Sequence, residues 1–175
     1  MKIKKKSVLT LHDFTRDELE ELLEYAINIK NNKKENLAGK TIVTLLLTPD
    51  IHIRLGMGVV SSQLKMENVV IDCTREKWDL KWESGEMTIG ESSEHSKDIA
   101  KILERYGDCI AVRHIPNSGK WQIDRQDSII KAFDQNCRLP VFNLGSSLFN
   151  PTLELANIMT INSKLKSLSG WKGVL

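Results

Sequence analysis

Apolar residues occur along this chain in two patterns: short continuous runs, and longer stretches with the spacing of a helix face. Continuous runs predict buried strands at 41–47, 69–73, 109–113 and 139–144. Helical spacing and capping residues predict helices from Thr15 to about 31 and over 53–65, 93–106, 123–136 and 151–168. Strands that alternate with helices are typical of a parallel sheet covered on both faces. We therefore expect an α/β fold, a three-layer α/β/α domain with a four-stranded parallel sheet.

Polar residues follow the predicted strands, in segments 48–54, 74–92, 113–114 and 145–153. Because the carboxyl ends of parallel strands meet at one edge of a sheet, we expect these segments to form a small-molecule pocket. Segment 74–92 carries Trp78 and Trp82 and is long enough to be a functional loop.

The 48–54 segment is the strongest candidate for an anion site, because a strand, a tight loop and a helix start follow one another there. Backbone N–H groups and the helix dipole favour a phosphate at such a position. The side chains are unusual for this role: an aspartate, a histidine and two isoleucines, followed by one arginine (Asp50, Ile51, His52, Ile53, Arg54). Two interpretations stay open for Arg113, which either binds an anion or pairs with Asp50. His52 is either an exposed loop residue or a ligand, and Asn150 before Pro151 is a good helix cap.

Composition narrows the classes of partner. At 175 residues the chain suits one domain, and a net charge of +2 gives no strong attraction to nucleic acid or to a membrane. No apolar run approaches the roughly 18 residues of a membrane span. The three cysteines lack metal or redox spacing, so we expect reduced thiols, a cytoplasmic protein, and no metal or cofactor.

Several short motifs resemble one known family. They are Asp13-Phe14-Thr15, Leu37-Ala38-Gly39-Lys40, Arg54, Trp78, the run from Gly90 to His95, Arg105-Tyr106-Gly107-Asp108 with Val112-Arg113, and the run from Asn150 to Ala156. Over nearly its whole length the chain resembles the amino-terminal, carbamoyl-phosphate-binding domain of aspartate/ornithine carbamoyltransferases. The Trp78 segment and Glu94-His95 favour the N-acetylornithine and N-succinylornithine branch.

The resemblance implies roles for particular positions. The family's phosphate loop, Ser-x-Arg-Thr-Arg, falls on Asp50, Ile51, His52, Ile53 and Arg54, so three of its four defined residues are replaced and only the last arginine is kept. Its carbamoyl-binding motif, His-Pro-x-Gln, falls on residues 150–153, so that Asn150 and Leu153 replace both catalytic side chains. Arg113 matches the family arginine that reaches the carbamoyl and phosphate oxygens. Trp78 matches the tryptophan that acylornithine enzymes lend to a neighbouring subunit.

These replacements lead to an expected function. Losing one charge-stabilising donor costs about 100- to 1000-fold in rate, so we expect carbamoyl phosphate turnover by this chain alone to be weak or absent. The leading hypothesis is a degenerate domain that acts as a partner or non-catalytic subunit. The alternatives are an active component of a two-chain carbamoyltransferase that joins carbamoyl phosphate to an ornithine-like amine, and a pure interaction scaffold.

The resemblance also implies an assembly. We expect residues 1–168 to form the carbamoyl-phosphate-binding-type domain, and residues 169–175 to be the stump of a connection to an absent second domain. The expected ligand is carbamoyl phosphate or another small anion. The expected protein partners are further copies of the chain in a homo-oligomer, with a trimer as the form that the family implies, and a separate chain that supplies the second domain.

Overall fold

A computed structural model describes residues 6–31, 35–75, 79–81 and 93–165. The helices are α1 (Arg16–Asn31), α2 (Ile51–Leu64), α3 (Ser96–Leu103), α4 (Trp121–Asp124), α5 (Ser128–Asn136) and α6 (Pro151–Leu165). The strands are β1 (Thr41–Leu46), β2 (Glu67–Asp72), β3 (Asp79–Lys81), β4 (Ser93–His95), β5 (Cys109–Arg113) and β6 (Val141–Asn143).

The main sheet has four parallel strands in the order β2-β1-β5-β6. The chain moves outward from β1 to β2, and then returns to the other side of β1 with β5. A crevice therefore opens between the carboxyl ends of β1 and β5, where α/β proteins hold ligands. The register places Leu46 beside Arg113, so the two strands end level with each other at this crevice.

Alternate residues of the strands pack on opposite faces of the sheet. On one face Val43, Leu45, Ile110 and Val112 contact a buried cluster that includes residues of α3 and α5. On the other face Ile42, Ala111 and Leu144 pack against α2 through Ile53 and Met57. Helices thus cover both faces, and the predicted α/β architecture is confirmed.

Two predicted helices and the predicted loop over 74–92 differ in detail from the structure. The predicted helix over 123–136 is two helices, since Asp127 between α4 and α5 has a left-handed φ of 51° and is buried. Its carboxylate accepts hydrogen bonds from the Ser146 hydroxyl (2.7 Å) and the Ser147 N–H (3.3 Å), which offsets the cost of that backbone conformation. The predicted helix over 93–106 begins later, because residues 93–95 form β4, which pairs in parallel with β3 inside the predicted loop. Trp78, Trp82 and residues 169–175 lie outside the described residues.

The cysteines of the chain are free thiols, and burial raises the pKa of Cys109 to about 11. Among the described residues, no group of histidine, cysteine and carboxylate side chains is placed to hold a metal ion. None of the helices in that part of the chain has the length and apolar character needed to cross a membrane.

Candidate functional site

The loops after β1 and β5 are joined across the crevice. The N–H groups of Leu47 and Thr48 donate to the carbonyl of Arg113, at 2.9 and 3.3 Å. The Thr48 hydroxyl donates to the Ile115 carbonyl (3.2 Å) and accepts from the Ile115 N–H (2.8 Å). These bonds hold the two loops side by side and so fix the position of the residue that starts α2.

That residue is Asp50, the N-cap of α2. Its Oδ1 accepts hydrogen bonds from the N–H groups of His52 (3.0 Å) and Ile53 (3.1 Å). The first N–H groups of a helix have no partner within the helix, and a carboxylate there also interacts favourably with the helix dipole. Asp50 therefore satisfies the donors that would otherwise be available to an external anion.

Arg113, the last residue of β5, pairs with the same carboxylate. Its Nη2 lies 3.0 Å from Asp50 Oδ2, and only 13% of the arginine side chain and 20% of the aspartate side chain is exposed. Its Nη1 donates to the Leu144 carbonyl at 3.4 Å, while its Nε is buried and has no hydrogen-bond partner within the described residues. Of the two interpretations of Arg113, the structure contains the ion pair with Asp50.

Gly145 makes room for this guanidinium group. Its φ is +126°, a conformation that side-chain-bearing residues rarely adopt, and a Cβ at this position would overlap the Arg113 guanidinium. The buried Asn143 holds the turn in place, because its Oδ1 accepts from the Gly145 N–H at 2.8 Å and its amide nitrogen donates to the Leu9 carbonyl at 2.9 Å. Gly145 was not among the residues predicted from the sequence, although a glycine directly after a predicted buried strand is a signal for a special backbone conformation.

The other residues of the 48–54 segment do not converge on the ion pair. Ile51 and His52 are exposed on the first turn of α2, and Ile53 packs toward the sheet. Arg54 donates to Asp72 at the end of β2, at 2.5 Å. Hydrogen bonds, first from the Thr74 hydroxyl and then from the Arg75 N–H, together with the charge of Arg54, hold the pKa of Asp72 below its ordinary value.

The residues predicted at the carbamoyl position have visible structural roles. Asn150 caps α6, since its Oδ1 accepts from the Thr152 hydroxyl (2.9 Å) and the Leu153 N–H (3.2 Å). The Asn150 N–H in turn donates to Glu154 at 2.9 Å, which resembles a capping box. The Leu153 side chain is exposed. Trp78 lies outside the described residues, so its predicted role stays a prediction.

Together these loops place a helix N-terminus, a guanidinium group and an amide cap at one crevice. Residues 6–163 match the family model described as "Aspartate/ornithine carbamoyltransferase, carbamoyl-P binding domain". The chain belongs to this family. The match confirms the resemblance stated from the sequence, and it covers nearly all of the described residues.

Several similar proteins are carbamoyltransferases of the acylornithine branch. The chain is 31% identical over 173 residues to the N-acetylornithine carbamoyltransferase of Xanthomonas axonopodis pv. citri, covering 97% of this chain and 50% of that protein. It is 26% identical over 128 residues to the N-succinylornithine carbamoyltransferase of Bacteroides fragilis, covering 73% of this chain and 40% of that protein. The chain thus spans about half the length of the curated relatives it matches.

Solved structures agree with this assignment. An acetylornithine transcarbamylase complexed with acetylcitrulline superposes with a TM-score of 0.88 at 30% identity, covering 95% of this chain and 50% of that one. A mutant N-acetyl-L-ornithine transcarbamylase complexed with carbamyl phosphate and N-succinyl-L-norvaline gives a TM-score of 0.86 at 30% identity, covering 93% and 49% of the two chains. The domain therefore has the fold of the family's carbamoyl-phosphate-binding domain.

Proposed function

We propose that this domain is a degenerate form of the family's carbamoyl-phosphate site, inactive on its own, and that it acts as a partner or non-catalytic subunit. The observation that carries the proposal is the position of the Asp50 carboxylate. It accepts from two N–H groups at the start of α2 and pairs with Arg113, and these are donors that an external phosphate would use. The domain thus supplies its own anion.

Electrostatics makes this internal anion a strong competitor. Asp50 is covalently attached and already ordered as a helix cap, so it occupies the donors without the entropic cost of binding a free ligand. A phosphate that entered beside it would place like charges within a few ångströms in a mostly buried site. The hydroxyls and the extra guanidinium of the family loop are absent from positions 50–53, which hold Asp, Ile, His and Ile.

Calorimetric titration tests this proposal. We expect no detectable heat when carbamoyl phosphate, or inorganic phosphate as a stable anion, is added at about 1 mM to the native chain. The double variant Asp50→Ser with His52→Arg frees Arg113 and adds a second guanidinium, so we expect binding of both anions. The matched control is Asp134→Ser with Gln135→Arg on α5, which makes the same change in net charge away from the crevice. Millimolar binding by the native chain would overturn the proposal.

A second candidate function is an active component of a two-chain carbamoyltransferase. The observation in its favour is Arg113, whose buried Nε has no hydrogen-bond partner in the part of the chain that the structure describes. A buried N–H group normally has an acceptor, and a carbamoyl or phosphate oxygen would provide one. This candidate requires that the native chain bind carbamoyl phosphate, so the same titration separates the two.

Self-association is part of the proposal. The helix α2 exposes an apolar stripe formed by Ile51, Leu55 and Val59, which are 62%, 61% and 56% exposed. It packs against the edge strand β2, which exposes Val69 and Val70. Exposed apolar side chains at helical spacing favour protein contacts, and we propose that the α2 stripe joins copies of the chain in a homo-oligomer, with a trimer as the expected form. We also propose a cytoplasmic location, which the free thiols support.

A further inference from the structure

A second concave site lies beside β5, separate from the Asp50–Arg113 pair. It is a cavity of about 250 Å³ whose lining includes His114, Pro116, Ser118, Ile123, Asp124 and Ile129. An apolar cavity of about 150 Å³ accepts a benzene molecule, so this one has room for a single ring with a short substituent. None of the residues that hold Asp50 or the Arg113 guanidinium lines it.

The imidazole of His114 gives the cavity a polar, uncharged part of its lining. Its Nδ1 is buried and has no hydrogen-bond partner within the described residues, and its backbone N–H is occupied by the Gly145 carbonyl at 3.1 Å. Burial lowers the pKa of His114 to about 4. The negative charge of Asp124 acts in the opposite direction, with a smaller effect. At neutral pH the ring is therefore uncharged and offers one acceptor nitrogen and one donor nitrogen.

Asp124 gives the cavity its charge. Among the described residues that line the cavity, it is the only one with a formal charge at neutral pH, since His114 is neutral and the others are uncharged. Its Oδ1 accepts from the Ser118 N–H at 3.1 Å, and no cationic side chain pairs with it in the described ranges. A half-buried carboxylate without a counter-ion, next to the apolar side chains of Ile123, Ile129 and Pro116, favours a cation with an apolar body.

We propose that this cavity binds a small organic amine, with the ammonium group on the free oxygen of Asp124 and the apolar body against Ile123 and Ile129. The His114 imidazole offers the ammonium group a second acceptor. The site differs in charge from the crevice at Asp50 and Arg113, so it selects a different class of ligand. The proposal stands independently of whether the crevice binds carbamoyl phosphate.

Three probes of one shape and different charge test it: benzylamine, benzyl alcohol and benzoate. Each is titrated into the isotopically labelled native chain while the amide signals of Ser118, Asp124 and Ile129 are followed by NMR. We expect benzylamine to shift these signals with a dissociation constant of about 1 mM, and the alcohol and benzoate to bind at least about fivefold more weakly. Asp124→Asn keeps the acceptor for Ser118 and removes the charge, and we expect it to weaken benzylamine to the level of the alcohol.

Asp134→Asn on α5 is the matched control, because it makes the same substitution at an aspartate that does not line the cavity. It should leave the benzylamine titration unchanged. The proposal is overturned if benzylamine binds no better than benzyl alcohol, if Asp124→Asn binds it as the native chain does, or if the shifts occur away from the cavity. Circular dichroism of each variant at the titration temperature confirms that the compared chains are folded.

Discussion

Asp50 combines two roles that separate substitutions can distinguish. The carboxylate caps α2 through Oδ1 and pairs with Arg113 through Oδ2. A serine keeps the cap and loses the ion pair, whereas an alanine loses both. Losing a cap costs about 1 kcal/mol, and removing one partner of a mostly buried pair leaves an uncompensated charge.

We therefore expect Asp50→Ser to lower the free energy of unfolding by about 2 kcal/mol and Asp50→Ala by about 3 kcal/mol. Urea denaturation at neutral pH measures both values. Asp134→Ser on α5 is the control, with an expected change within about 0.5 kcal/mol. Native-like stability of Asp50→Ser would show that the ion pair contributes nothing to folding, and would weaken the view of Asp50 as an internal anion.

Gly145 is the second residue for which the structure predicts the effect of a substitution on stability. Gly145→Ala adds a Cβ at φ +126° and displaces the Arg113 guanidinium. Gly119 is the matched comparison, because it also has a positive φ (+73°) but has open space around it. We expect Gly119→Ala to cost about 1 kcal/mol from backbone strain alone, and Gly145→Ala about 3 kcal/mol or more. Equal losses in thermal or urea unfolding would contradict the close packing of Arg113 on this glycine.

His114 makes the stability of the domain depend on pH. Its pKa falls from an ordinary 6.5 to about 4 on folding, because the ring is buried. The unfolded chain therefore binds a proton as the pH falls through about 6.5, while the folded chain resists protonation until about 4. Between pH 7 and 4.5 this linkage removes about 2 kcal/mol of stability.

His114→Gln, which cannot titrate, should lose correspondingly less stability over the same interval when urea midpoints are compared at the two pH values. His52 is the control position, since it is exposed on the first turn of α2. His52→Gln should follow the native pH dependence. If His114→Gln also follows it, the pH dependence arises elsewhere.

At the scale of elements, the middle of α2 carries Gly56 and Gly58, and a Cβ at either position would meet only open space. Glycine inside a helix is less favourable than alanine by about 1 kcal/mol. We expect Gly56→Ala and Gly58→Ala each to raise the free energy of unfolding by about 0.5 to 1 kcal/mol. Gly39→Ala, at a φ of +81°, should have the opposite sign in the same urea experiment.

The helices and strands also differ in how far the hydrophobic pattern of the sequence predicts them. Buried parallel strands such as β1 and β5 were predictable because both of their faces are apolar, which gives continuous runs in the sequence. The break between α4 and α5 was not predictable from the sequence. It depends on hydrogen bonds that Ser146 and Ser147 donate to Asp127, about twenty positions earlier in the chain. The β3-β4 pair was also missed, since three-residue strands carry too little periodicity to identify.

The same distinction holds for the candidate site. Its location was predictable, because the ends of β1 and β5 are determined by sheet topology. The pairing of Asp50 with Arg113 remained one of two alternatives, since residues 63 positions apart in the chain are brought together only by the fold. The role of Gly145 was missed, because it follows from where the Arg113 side chain lies.

At the scale of the whole molecule, the apolar stripe on α2 and its neighbour β2 bear on assembly. Burying an exposed apolar side chain stabilises by about 1.5 to 3 kcal/mol, so Ile51, Leu55 and Val59 together provide a substantial driving force for association.

We expect sedimentation equilibrium of the native chain to show self-association, with a trimer as the limiting species. Leu55→Glu places a charge in the middle of the stripe and should shift the equilibrium to monomer. Leu165→Glu, at an exposed leucine of α6, should not. A native chain that remains monomeric at about 100 μM would remove self-association from the proposal and leave a separate partner chain to cover the stripe.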